Sequence, residues 1–237
     1  MSNNPSRKIA RRRQHHPPNR ADDRARRNRL LLLGGLAAAV IFALVIAAAV
    51  TTGGDDDSVA AGSNVASDIE GETGQAEIIG DPLPRHDTSL ATDPAVGATA
   101  PDISASQFDG TRVSIDTADG TGRLIGFFAH WCPHCQREIP TVVDWMAQGA
   151  VPDGVEVVAL STGVSEGDPN YPPSAWFERE GFTGAVLRDS ADDAVATGYG
   201  LSGFPYWVAV DADGTVMWRA SGEQTPEQLA AMAELVS

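Results

Sequence analysis

Lysine is nearly absent from this chain of 237 residues: Lys8 is the only one, and ten of the 17 basic residues fall within the first 29. The other 208 residues hold seven arginines against 30 acidic side chains, a net charge of −23. That balance excludes a nucleic-acid-binding body, because phosphate contacts need clustered Lys and Arg. Cysteine is as scarce. With two in the whole chain, Cys132 and Cys135, a multiply stapled secreted scaffold is excluded. A zinc site is disfavoured, because zinc takes four ligands and neither a second C-x-x-C nor an H-x-x-x-H accompanies the pair. No internal repeat is present, so a solenoid is excluded as well.

What the chain does have is Trp131-Cys132-Pro133-His134-Cys135, directly after the apolar run Leu124-Ile125-Gly126-Phe127-Phe128. A C-x-x-C pair where a strand runs into a helix keeps both sulfurs within disulfide reach across one helical turn. The first sulfur then faces the unpaired N–H groups and positive dipole end of the helix, which favour a thiolate, and the thiolate is the nucleophile. Cys132 is therefore expected to attack and Cys135 to resolve. The alternative is a disulfide that only staples the fold, but such bonds usually close longer loops. An imidazole at His134, on the first turn, could donate a hydrogen bond or a positive charge to the Cys132 thiolate and make the disulfide more oxidising. His130 could tune the same thiolate, or join Cys132, His134 and Cys135 as copper ligands.

The basic head, residues 1–29 with net charge +8, abuts Leu30 to Val50, 21 residues without a charged or polar side chain. As a helix this segment is about 31 Å long, enough for a hydrocarbon core of about 30 Å. It is expected to be a single transmembrane helix. Arg24, Arg26, Arg27 and Arg29 before it would keep the N-terminus cytoplasmic and leave the rest extracytoplasmic. A cleaved signal peptide ending near Ala47-Ala48-Ala49 is the alternative, though its apolar region would be unusually long; a twin-arginine signal lacks the aromatic that Arg29 displaces. Residues 51–96, with ten acids against Arg85 and no apolar period, are expected to be a flexible, disordered tether. Asp55-Asp56-Asp57 and His86 are read as solvated parts of it.

Residues 97–237 have globular texture and room for one core. Asp109-Gly110 predicts a leading hairpin, Arg123 to Ala129 a buried strand, and Pro133 to about Gln148 a helix kinked at Pro140. A strand over Val155 to Leu160, a helix from Ser174 to about Glu180, a strand over Ala185 to Arg188 and a helix over about 191–198 follow. Tyr206 to Val210 and Thr215 to Arg219 form a hairpin over Asp211-Ala212-Asp213-Gly214, and Thr225-Pro226-Glu227-Gln228 opens the last helix with a capping box. Strands alternating with helices imply an α/β fold with a mixed central sheet flanked by helices.

On these residues the chain resembles the thioredoxin superfamily, and more closely its membrane-anchored TlpA/ResA-like thiol–disulfide oxidoreductases, over about Val96 to Leu235. The resemblance rests on Trp131-Cys-x-x-Cys135, Pro140 five residues on, Gly203-Phe204-Pro205 before a strand, and Asp211-Ala-Asp-Gly214. It implies that Pro205 is cis and packs against the dithiol, leaving the Phe204 backbone to pair with an extended substrate segment beside Trp131. It also implies that Glu138 lies near the dithiol and exchanges protons with Cys135. Two departures matter. Gly126 stands where thioredoxin has a buried Asp, and Pro133-His134 resembles the oxidising DsbA-like enzymes. Such couples span about −270 mV for thioredoxin to about −120 mV for DsbA.

The expected activity is thus thiol–disulfide exchange on extracytoplasmic cysteine-containing proteins, without a cofactor and with a membrane redox partner. The direction is open: Glu138 and the anchor point to a reductase, Pro133-His134 to an oxidase. A copper-binding or delivery module is the alternative of another class, although copper carriers of this fold use a wider C-x-x-x-C pair. Peroxidase action lacks the usual Thr-x-x-Cys context. Trp145, Trp176, Trp207 and Trp218 are expected as core or groove aromatics.

Overall fold

The computed structural model describes residues 71–237. The basic head, the Leu30–Val50 segment and the first part of the acidic stretch lie outside the described residues. Among those described, no helix is long and apolar enough to cross a membrane.

Eight strands form one mixed sheet: β1 (Glu77–Ile79), β2 (Asp102–Gln107), β3 (Arg112–Ile115), β4 (Gly122–Phe128), β5 (Val155–Ser161), β6 (Ala185–Arg188), β7 (Tyr206–Val210) and β8 (Val216–Ser221). The order is β1-β2-β6-β5-β4-β7-β8, with β3 on the other edge of β2. β4 is central, parallel to β5 and antiparallel to β7. All seven of its residues are buried, which is why it reads in sequence as an unbroken apolar run rather than an alternation.

The period of two sorts these side chains onto two cores. Leu124 and Phe128 of β4 and Trp207 and Ala209 of β7 share one with Ile139, Val142 and Trp145. Ile125 and Phe127, with Tyr206, Val208 and Val210, share the other with Val195 and Tyr199. Helices α1 (Pro133–Ala147), α2 (Pro173–Glu180) and α4 (Pro226–Glu234) send apolar side chains into the first core, and the short α3 (Ala194–Gly198) into the second. Burying each large apolar side chain contributes about 1.5–3 kcal/mol. Pro140 lies inside α1, which continues past it to Ala147. The Thr225 capping box is formed, with Thr225 and Gln228 exchanging hydrogen bonds of 2.8 and 3.3 Å.

Residues 71–96, expected to belong to a disordered tether, are part of the folded body. β1 pairs with β2 in antiparallel register. The Glu72 carboxylate accepts from Ser174 N (2.8 Å) and Ser174 Oγ (2.7 Å) at the start of α2, and Leu83 and Ala95 are buried. Asp93 pairs with Arg219, whose side chain is fully buried. His86, expected in solvent, is 9 % exposed, its ring 5.7 Å from that of Tyr206. The segment is held by single apolar residues and by polar partners more than 100 positions away, so it carries no local period.

Candidate active site

Cys132 is the N-cap of α1, with extended backbone (φ −73°, ψ 120°) and Pro133 at the first helical position. No side chain caps this end and its first turn has no acidic residue. The helix dipole there is therefore not compensated locally, and an anion at Cys132 would face it. Cys132 is 6 % exposed, and its Sγ lies 3.9 Å from the carbonyl oxygen of Phe204. Cys135, one turn on, is fully buried, and both cysteines are free. Burial pushes the Cys135 thiol far above its ordinary range, and the nearby Cys132 and Glu138 add to the rise. The two cysteines are thus unequal, one slightly exposed at a helix start, the other fully buried and held protonated in the core.

The Phe204–Pro205 bond is cis, as the resemblance implied. Phe204 packs against Trp131, rings edge to face at 5.8 Å, and Trp131 Nε1 donates to the Gly163 oxygen at 2.7 Å. Gly163 has φ +62°, and a Cβ there would meet the Phe204 ring at 3.3 Å, so glycine suits both its backbone and the approach of the ring. Beside Phe204 is a cavity of about 270 Å³ lined by Arg85, Thr162, Asp193 and Leu201 among others.

Glu138 is 2 % exposed. Its Oε1 accepts from Trp207 Nε1 (3.1 Å) and Gln224 N (2.6 Å), while its Oε2 has no partner. Burial pushes its carboxyl up to about 7, against the pull of those two hydrogen bonds. Gly126 explains the room for this arrangement. A Cβ on Gly126 would lie 2.6 Å from the Phe128 ring and 2.9 Å from the Trp207 ring, which are packed edge to face at 5.4 Å. The Trp207 indole that occupies this space is the one that hydrogen-bonds Glu138. A buried carboxyl is thus supplied from the helix, on a sheet face where the strand carries none.

The histidines lie elsewhere than their sequence positions suggested. His134 is exposed and meets Glu223 instead of Cys132: its Nδ1 lies 2.5 Å from Glu223 Oε1 and 2.7 Å from Arg137 Nη2. His130 is 1 % exposed with both ring nitrogens engaged, Nδ1 at 2.8 Å from the Pro169 oxygen and Nε2 accepting from Ser165 N at 3.2 Å. It holds the loop after β5, and neither nitrogen is free to tune a thiolate or bind copper. Among the described residues no cluster of three or more His, Cys, Asp or Glu is placed to hold a metal ion. Trp145, Trp176 and Trp207 are core, whereas Trp218 is 49 % exposed and lines a small groove with Gln224, Met232 and Leu235.

Glu223 and Gln224 carry no motif, and sequence reasoning missed them. They stand 86 and more positions from their partners, and the one local sign is that they precede the Thr225 capping box.

The AhpC/TSA family model matches residues 96–219. The thiol–disulfide oxidoreductase ResA of Geobacillus thermodenitrificans is 30 % identical over 135 residues, covering 57 % of this chain and 74 % of that protein. ResA of Bacillus anthracis is 26 % identical over 134 residues, covering 56 % and 74 %. Among solved structures, a thiol:disulfide interchange protein of the DsbE type from Chlorobium tepidum superposes with a TM-score of 0.50 at 22 % identity, covering 59 % of this chain and 97 % of that one, a likeness of fold alone.

Proposed function

The chain belongs to the AhpC/TSA family of the thioredoxin superfamily and is a thiol–disulfide oxidoreductase, and from that premise we propose that it is a membrane-tethered disulfide reductase of extracytoplasmic proteins. The pairing of a buried, protonated Cys135 with a buried Glu138 whose carboxyl sits near neutrality carries the exchange chemistry, and the reductive direction rests on the resemblance to the ResA-like enzymes. In the proposed cycle the Cys132 thiolate attacks one sulfur of a substrate disulfide, and the other substrate sulfur leaves as a thiolate. Cys135 must then lose its proton to attack Cys132. Glu138, one turn further along α1, is the acceptor, and a group that titrates near the working pH serves well there. The second substrate thiol departs, the substrate has gained two electrons, and Cys132–Cys135 is a disulfide. A membrane redox partner restores the dithiol.

Substrate binding follows from the cis-proline loop: an extended segment lies along Phe204 and Pro205 beside Trp131, which brings its sulfur to Cys132. The apolar segment Leu30–Val50, with the basic head before it, is the proposed anchor. The oxidative alternative drew on Pro133-His134, and its support weakens because His134 is engaged by Glu223 and Arg137. Thiol trapping in growing cells tests the direction. We expect Cys132 and Cys135 mostly reduced, with oxidised target proteins accumulating on deletion. A pair found mostly as the disulfide, with free thiols appearing in secreted proteins on deletion, would replace this reading with the oxidase.

A further inference from the structure

A Cys-Pro-His-Cys sequence suggests an oxidising couple because the histidine can stabilise the Cys132 thiolate. Here two charged groups, Glu223 and Arg137, engage that histidine. Glu223 Oε1 lies 2.5 Å from both His134 Nδ1 and Arg137 Nη2, and Glu223 Oε2 lies 3.3 Å from Arg137 Nε. The cluster stands on the helix that Cys132 caps, with His134 in its first turn and Arg137 in the next. The Arg137 guanidinium is held above its ordinary value first by its hydrogen bond to Glu223, and Cys132 contributes to the same rise. The Glu223 carboxyl is held low by Arg137 and then by His134, so it is an anion at neutral pH.

Glu223 is also held from both sides by the site itself. Gly222 N donates to the Pro205 oxygen at 2.8 Å, and Gln224 N donates to the Glu138 carboxylate at 2.6 Å. The loop between β8 and α4 is thus pinned to the cis-proline on one side and to the buried acid on the other. This fixes where the Glu223 side chain emerges, so its contact with His134 does not depend only on the exposed pair, which alone would be weak.

We propose that Glu223 sets the redox potential of the dithiol: it draws His134 and Arg137 onto its own carboxylate and so makes the couple more reducing than the Pro-His dipeptide would otherwise dictate. Reduction of the Cys132–Cys135 disulfide takes two electrons and, with Cys132 left as a thiolate, one proton, which goes to Cys135. Whatever stabilises that thiolate favours the reduced form. Without the carboxylate, two basic side chains would stand uncompensated near Cys132 and the imidazole would be free to turn toward the sulfur. Glu223 is a positioning residue, since it acts through His134 and Arg137. The proposal shares the dithiol chemistry of the proposed function but not its direction, which thiol trapping reads separately; either can fail alone.

The test uses the full-length chain in detergent, equilibrated with mixtures of reduced and oxidised glutathione, with the disulfide fraction read by alkylation. Glu223→Gln should lower the equilibrium constant for oxidation by glutathione disulfide about threefold to tenfold, or about 15–30 mV at about 29.6 mV per tenfold change. In a His134→Gln background the same substitution should have at most half that effect on the logarithmic scale, the rest coming from Arg137. An unchanged equilibrium in folded Glu223→Gln protein, or an undiminished shift in the His134→Gln background, overturns the proposal. Should Glu223→Gln fail to fold, Arg137→Gln carries the test with opposite sign, because it removes a cation and leaves the carboxylate. No shift there, or a shift toward the reduced form, also overturns it.

Discussion

Replacing Glu138 by glutamine probes the buried acid directly. In the folded chain burial raises this carboxyl from its ordinary 4.5 to about 7. At about 1.4 kcal/mol for each pH unit, ionising it in place costs about 3 kcal/mol more than in the unfolded chain. The sign follows from proton binding. Between pH 4.5 and 7 the folded state keeps the proton and the unfolded state has lost it, so stability falls as pH rises through that window and levels off above it. Glutamine is nearly isosteric and keeps an oxygen to accept from Trp207 and Gln224, but has no proton to lose. The stability of the Glu138→Gln protein relative to the wild type should therefore rise by about 3 kcal/mol between pH 4 and pH 8. Urea denaturation of the two reduced proteins at a series of pH values measures it, and groups titrating alike in both cancel in the difference. A flat difference curve would mean that Glu138 is not held protonated by burial. Kinetics should report the same proton. With substrate mixed disulfide formed on Cys132, resolution by Cys135 should quicken in the wild type as pH passes through about 7, and in the glutamine variant only at higher pH.

Gly126→Ala places a methyl against the Phe128 and Trp207 rings in a filled core. It should destabilise the fold by about 1–3 kcal/mol by chemical denaturation, and should loosen Glu138 through Trp207; a stability within about 0.5 kcal/mol of wild type would show that the rings move aside at little cost. The full-length chain should sediment with membranes and resist carbonate extraction, with its dithiol accessible only from outside the cell, whereas a soluble mature form beginning near Val50 would refute the anchor.

Much of this molecule was legible before any coordinates. The boundaries of β4 to β8 and of α1 and α4 follow from apolar runs, turn residues and a capping box, all of which act within a few residues along the chain. The placement of Cys132 and Cys135 was legible for the same reason, since spacing at a strand–helix junction places one cysteine at the helix start and the other one turn inside. The acidic stretch before Gly97 misled because low apolar content usually means disorder. Here Glu72, Asp93 and single residues such as Leu83 find partners on the distant surface that the rest of the chain builds.

Composition and local order thus determined by themselves the class of fold and the place of the dithiol at the start of a helix. Tertiary structure alone decided the electrostatic surroundings of that dithiol. His134 sits between the two cysteines in sequence, yet its partner comes from a loop 89 positions away, and burial raises the Glu138 carboxyl against the pull of the Trp207 and Gln224 hydrogen bonds. The reason is physical. Backbone conformation and hydrophobic period are set by neighbours in the chain, whereas the affinity of a carboxyl or an imidazole for a proton is set by whatever charge, water or hydrogen-bond donor folding brings beside it.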